Sequence, residues 1–282
     1  MLASHRYCRF MLVVTAALAA APAAVRAQGK LDAQYALTLA GITIGKGSWT
    51  VDVSDTHYIS AASGATAGLV RVFSHGHGAS VAHGTLHAGA PLSSTYVSTI
   101  VSSKKTDDVR LTVDKGDVTD SRVDPPTEDD PDRVPITEEH QRGILDPMTA
   151  ALLRTPGEGD PLSPEACKRS LPVFDGRLRY DLQLAFKRMD HVKAYKGYAG
   201  PVVVCAVYFT PVAGFVPSRT AIRYITKQRD IEVWLAPIAG TRVLVPFRAQ
   251  GPSPIGKVVL EATQFVSERV STRASINGMK VQ

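Results

Sequence analysis

Between Arg177 and Lys187 the chain reads R-L-R-Y-D-L-Q-L-A-F-K, with Leu178, Tyr180, Leu182, Leu184 and Phe186 at every second position. A helix turning about 100° per residue would throw those five side chains to two opposite sides, whereas a strand puts all of them on one face. This stretch is therefore read as a strand. It lies between Cys167 and Cys205, and the second cysteine ends G-P-V-V-V-C, from which A-V-Y-F-T continues to Thr210. Apolar residues at both parities mark that second run as a central strand covered on both sides.

The same alternation, broken by turn residues, recurs along most of the chain. Tyr35, Leu37 and Leu39 alternate, Ile42 and Ile44 follow, then Trp49, Val51 and Val53, then Tyr58 to Ala62. Three more runs, Y-V-S-T-I-V, V-R-L-T-V and V-T-D-S-R-V, occupy Thr95 to Val123, the last two joined by D-K-G-D, where Gly116 can take a positive φ. Toward the C-terminus Ile222–Thr226, Ile231–Leu235, Arg242–Phe247 and Lys257–Val266 are read as strands. Short strands at such spacing predict an all-β fold, an antiparallel meander forming a curved sheet, an incomplete barrel or a sandwich.

A proline-rich acidic connection and two short helices, over about residues 124–165, separate the two strand blocks. Thr137 is expected to cap the first helix, running toward Gly143, and Asp146 with Pro147 at the first helical position to start the second, through Leu153. Ile144, Leu145, Met148, Leu152 and Leu153 would let this pair plug one end of the sheet.

At the N-terminus Arg6 and Arg9 precede an apolar run and an alanine-rich segment ending V-R-A, the pattern of an export signal cleaved after Ala27. Pro22 and Arg26 stop the run short of the roughly 20 residues needed to span a bilayer. Residues 1–27 are thus expected to be a signal peptide, and residues 28–282 one β-rich domain in the periplasm, with no transmembrane span after cleavage. Cleavage removes three arginines and lowers the formal charge from +6 to +3. That modest charge points to no nucleic-acid partner.

Cleavage also removes Cys8, leaving Cys167 and Cys205 as an even pair in an oxidising compartment, where a disulfide locking neighbouring strands is expected. Closing that loop contributes roughly 4 kcal/mol in the chain-entropy model. The glycine-rich segment Ser63–Ala90 carries His75, His77, His83 and His87. Two of these would share a strand face and two have helix spacing, a weak zinc pattern; the segment has no carboxylate to orient a ring, and it reads better as a solvated loop or edge. G-I-T-I-G-K-G-S, Gly41 to Ser48, is one residue short of a phosphate loop and precedes no helix.

Several blocks together resemble a known family: Y-A-L-T-L-A-G-I-T-I-G, D-R-V-P-I-T-E-E-H, G-I-L-D-P-M-T-A-A-L-L, C-K-R-S-L-P-V-F-D-G-R-L-R-Y-D-L, G-P-V-V-V-C-A-V-Y-F-T-P-V-A-G and V-W-L-A-P-I-A-G-T-R-V-L-V-P-F-R. They are similar to the exported bacterial domain of unknown function numbered 3108, in its proteobacterial form. The resemblance implies a β-rich envelope protein and supplies no catalytic residues or cofactor.

Three functional classes follow. The first is a binding module for an apolar or lipid-like small molecule, with Leu178, Tyr180, Leu182, Leu184 and Phe186 as ligand-facing candidates; the same stripe would equally fill a solid core. The second is a structural protein pairing through a strand edge with an envelope protein. The third is a hydrolase with a site assembled in space, for instance around His191 and Asp175, since no catalytic motif occurs in the sequence. Arg177, Arg179, Arg219 and Arg223 are candidate contacts for an anionic head group.

Overall fold

The computed structural model describes residues 28–68, 75–87 and 90–270, so the leader expected at 1–27 lies outside the described residues. Seven strands come first: β1 (Gly29–Leu39), β2 (Ile42–Val53), β3 (His57–Thr66), β4 (Gly76–His87), β5 (Ala90–Ser102), β6 (Thr106–Asp114) and β7 (Asp117–Asp124). Each pairs antiparallel with the one before it. The connection holds a 3₁₀ turn at Glu139–Gln141, helix α1 (Pro147–Ala150), a two-residue strand β8 (Leu153–Arg154) and a 3₁₀ turn at Pro164–Cys167. The second block is β9 (Arg169–Phe174), β10 (Arg179–Lys193), β11 (Lys196–Gly197), β12 (Ala199–Ala213), helix α2 (Thr220–Ile225), β13 (Glu232–Pro237), β14 (Val243–Ser253) and β15 (Gly256–Arg269).

The two blocks form one sheet, in the order β7-β6-β5-β4-β3-β2-β1-β15-β14-β13-β12-β10-β9, with β8 on β14 and β11 on β15. The last strand pairs with the first, Gly29 opposite Arg269 and Leu39 opposite Val258. Of the architectures that alternation allowed, this is the open curved sheet rather than a two-sheet sandwich. β7 and β9 remain edges, and backbone from the connection runs from the β6–β7 turn to β9. Ile144 N donates to Gly116 O at 2.8 Å, Leu145 N to Pro172 O at 2.8 Å, and Phe174 N to Leu145 O at 2.9 Å. Gly176, at φ +94°, lies so close to β6 that a Cβ there would fall 2.5 Å from Val109 Cγ1.

One core fills the inner side of both blocks, from Leu31, Trp49, Val51, Tyr58, Tyr96 and Leu111 to Val204, Trp234, Phe247 and Phe265. A smaller core on the other side holds Leu153, Cys167, Leu184, Val203, Cys205, Leu235 and Leu244. Along β12, Val202 and Val204 join the first core and Val203 and Cys205 the second, as a strand covered on both faces requires. Cys167 and Cys205 are disulfide-bonded, with Cα atoms 5.5 Å apart. The bond does not join neighbouring strands: Cys167 ends the 3₁₀ turn before β9, and β10 lies between β9 and β12. It ties the connection to the middle of the sheet.

Three expectations are corrected. Ile222–Thr226 is not a strand; the segment becomes α2, where Arg223 N donates to Arg219 O and Thr226 N to Ile222 O, each at 3.1 Å. Among the described residues it is paired with no strand, so its backbone groups are satisfied locally, and tertiary position overrides the β preference of its isoleucines. The first expected helix is only the 3₁₀ turn, and Thr137 Oγ1 meets His140 Nδ1 at 3.2 Å without a helix to cap. The second ends at Ala150, because Leu153 leaves it to pair with Leu244. Asp146 does cap α1, accepting from Met148 N at 2.8 Å and Thr149 N at 3.0 Å.

Candidate functional site

The register of β1 to β5 places side chains in rows across the sheet. Leu31, Val51, Ser60, Ala82 and Tyr96 form one inner row, and Ala33, Trp49, Ala62, Ser80 and Ser98 the next. The third is Tyr35, Gly47, Gly64, Gly78 and Ile100, three adjacent strands without a side chain. Beyond it come Leu37, Gly45 and Thr66, with Gly76 hydrogen-bonded to the Thr66 hydroxyl. Well-filled rows thus give way to glycine toward one end of the sheet, and a cleft of about 660 Å³ opens there.

Tyr35, Leu37, Ile44, Trp49, Ile100 and Leu260 contribute its apolar wall, and Met148 of α1 with Ala151 at the helix's C-terminal end its deep side. Ile100, 55 % exposed, has no core to pack on because it faces this space. A neighbouring depression of about 340 Å³ shares Ala62, Gly64 and Ile100 with it. Two ionisable residues on the lining, Lys46 and His77, stand at positions between inward ones, Lys46 opposite Ala65 and Ala65 opposite His77, so alternation sends their side chains to the outer face. The inner polar groups are engaged: the Tyr35 hydroxyl donates to Pro246 O at 2.7 Å, and Ser80 to Ser98 at 2.9 Å.

The glycines differ in what they require. At Gly47 a Cβ would lie 2.7 Å from Ser63 O, so close backbone approach explains that residue. At Gly64 a Cβ would meet only Lys46 O at 3.5 Å and Gly47 Cα at 4.0 Å, and φ is in the ordinary range. Neither backbone strain nor crowding calls for glycine at this position. What its hydrogen preserves is empty space in the cleft.

The deep wall is anchored by a buried polar cluster. Asp146 is fully buried, and its carboxylate accepts from Ser93 Oγ at 2.6 Å and from the Thr149 hydroxyl, which in turn meets the Tyr58 hydroxyl. Asp146 N donates back to Ser93 Oγ at 3.0 Å. Burial, reinforced by the Asp146 charge, pushes the Tyr58 hydroxyl well above its usual range, against the hydrogen bonds to Thr149 and Ser93. The cluster satisfies the N-terminal amides of α1 and pins the helix to β3 and β5, so Met148 and Ala151 stand in a defined place.

The residues singled out from sequence fall elsewhere. Leu178 precedes β10 and the other four lie on it, but none of the five lines the cleft. Leu184 belongs to the core around the disulfide, Tyr180 packs on Phe209 with centroids 5.2 Å apart, and Phe186 is 39 % exposed. The segment read as a loop contains β4, an interior strand whose backbone is paired on both sides, which outweighs the low strand propensity of its glycines. His83 and His87 therefore lack helix spacing, and His75 lies just before the strand. Among the described residues no group of three or more His, Cys, Asp or Glu is placed to hold a metal ion.

Asp175 and His191 lie at opposite ends of β10, on the order of 40 Å of strand apart, and form no catalytic pair. Arg177 bonds Pro125 O at 2.9 Å and Asp107 at 3.2 Å, Arg179 pairs with Asp181 at 2.7 Å and Arg219 approaches Asp130 at 3.9 Å, so these three are structural ties. Reading the sequence for apolar stripes missed the cleft. The available signal was glycine alternation, G-K-G at Gly45–Gly47 and G-H-G at Gly76–Gly78, which empties one face of a strand.

Fold and site together define an all-β module built on a single antiparallel sheet with an apolar cleft at one end. The chain belongs to the family described as protein of unknown function (DUF3108), whose model matches residues 34–263. Among solved structures it is similar to the crystal structure of a beta-barrel-like protein of domain of unknown function DUF1849 from Brucella abortus. That match has 9 % identity and a TM-score of 0.46, covering 86 % of this chain and 99 % of the other. No curated protein matches.

Proposed function

We propose that the protein is a non-catalytic binding module of the periplasm that holds the acyl chain of a lipid-like molecule in the cleft. The observation that carries this reading is the inner face of β2 to β4, where glycine removes side chains that neither crowding nor backbone geometry forbids at Gly64. A volume of about 660 Å³ falls within the range of small-molecule sites, and an apolar wall without inward charge among the described residues favours hydrocarbon over any polar ligand. The export pattern at residues 1–27 and the disulfide support an oxidising compartment. Strand addition of a partner protein is served poorly by the free edge β7, which presents Asp117, Asp120, Arg122 and Asp124.

Titration with N-phenyl-1-naphthylamine, whose fluorescence rises in apolar surroundings, tests the proposal. Saturable binding at one site, reversed by long-chain but not short-chain fatty acids, is the expected result. Absence of saturable binding, or equal displacement by both chain lengths, would refute it.

A further inference from the structure

The cleft opens at the end of the sheet formed by the β1–β2, β5–β6 and β14–β15 turns and by the chain between β12 and β13 that carries α2. Five of the nine exposed large hydrophobic residues found among the described residues gather at this end: Ile42, Ile100, Ile225, Ile255 and Leu260. Ile42 and Ile255, 57 % and 74 % exposed, sit on adjoining turns, where Ala40 N donates to Lys257 O at 2.9 Å. Helix α2 buries none of its residues.

Basic side chains alternate with these apolar ones. Lys104, Arg223, Lys227 and Lys257 are exposed at this end, and none forms an ion pair with another described residue. The acidic stretch from Asp124 to Asp132 also lies here, on the side of the seam between β7 and β9, with Asp130 near Arg219 at 3.9 Å. The basic and apolar arc thus runs from the β5–β6 turn through β1–β2 and β14–β15 to α2, where the acidic sector adjoins it at Arg219. Isolated exposed hydrophobics need no explanation, but protruding isoleucines ringed by unpaired cations match a bilayer: apolar tips enter the headgroup boundary while the cations meet lipid phosphate.

We propose that this arc docks on the surface of a bilayer containing anionic phospholipid, placing the mouth of the cleft against the membrane. The inference rests on the acyl-chain reading for its purpose, since docking there would let a chain pass between bilayer and cleft without crossing water. Its physical basis is separate, and so is its test.

Protein purified from cells expressing the full chain is sedimented with vesicles of phosphatidylethanolamine and phosphatidylglycerol, and with vesicles of phosphatidylcholine alone. Preferential binding to the anionic vesicles, weakened by salt, is expected, because each basic side chain near such a surface strengthens binding about fivefold. Arg223→Glu with Lys227→Glu, and separately Ile42→Ser with Ile255→Ser, should each weaken binding at least tenfold while thermal unfolding and naphthylamine binding stay unchanged. Vesicle binding that is absent, or equal in wild type and both variants, overturns the docking proposal. So does a dimer in solution that Ile42→Ser abolishes, which would assign the face to a second copy. Loss of naphthylamine binding in the wild type with vesicle docking retained would instead remove the cleft reading and leave the docking surface standing.

Discussion

Replacing Gly64 by leucine would put four carbon atoms into the cleft at a glycine where the neighbours leave room: a Cβ there meets nothing closer than 3.5 Å. The side chain would project beside Tyr35, Trp49 and Ile100 and occupy the place of about three ligand methylenes. At about 0.8 kcal/mol per buried CH₂ the loss is about 2.4 kcal/mol, on the order of 50-fold in Kd. The fold should not suffer, because glycine inside a strand costs roughly 0.5–1 kcal/mol and leucine relieves that cost. Ala65→Leu adds bulk one residue along, on the opposite face, and serves as the control. Naphthylamine titration and urea unfolding of both variants provide the readout. Unchanged affinity in Gly64→Leu, or an equal loss in Ala65→Leu, would refute the argument that the glycine rows make the binding site.

Three further outcomes are expected. Asp146→Ala removes the α1 cap and strands the Ser93, Thr149 and Tyr58 hydroxyls in the interior, which should cost about 3 kcal/mol in urea unfolding; a cost below about 1 kcal/mol would show the cluster to be dispensable. Reducing the Cys167–Cys205 bond, or replacing both cysteines by serine, should cost roughly 4 kcal/mol, and equal unfolding midpoints with and without reductant would contradict this. Although burial works to raise it, the Glu232 carboxyl is held below its usual range because hydrogen bonds and charges from Arg188 and Lys187 prevail. Its stabilisation is therefore complete above the unfolded value of about 4.3 and is lost as pH falls through the lower folded value, so Glu232→Gln should flatten the acid limb of stability against pH. Parallel acid limbs for the two proteins would speak against it.

Strand periodicity carries most of the architecture. The alternating runs at Tyr35–Leu39, Trp49–Val53 and Lys257–Val266 lie in β1, β2 and β15, and the apolar residues at both parities around Cys205 lie in a strand packed on two cores. Asp146 and Pro147 marked a helix start through local capping chemistry, which a sequence displays directly. What stayed hidden depends on neighbours. β4 looks like a loop because its glycines and histidines have low intrinsic preference for a strand, and only the ladders to β3 and β5 make it one. α2 looks like a strand because nothing in its isoleucines says that no partner lies beside it. The site was least legible of all: an apolar stripe announces itself as Leu178 to Phe186 does, whereas a cleft is made by side chains that are missing, and their absence registers only once Gly47, Gly64 and Gly78 stand in adjacent strands.

Native mass spectrometry of the protein, isolated without detergent from the envelope of cells producing the full chain, tests the acyl-chain cleft most directly. The expected spectrum contains a one-to-one adduct whose released mass is that of a lipid or fatty acid, much diminished in Gly64→Leu. A protein that carries no adduct and takes none up from added long-chain lipid, or an adduct retained equally by the variant, would contradict the account.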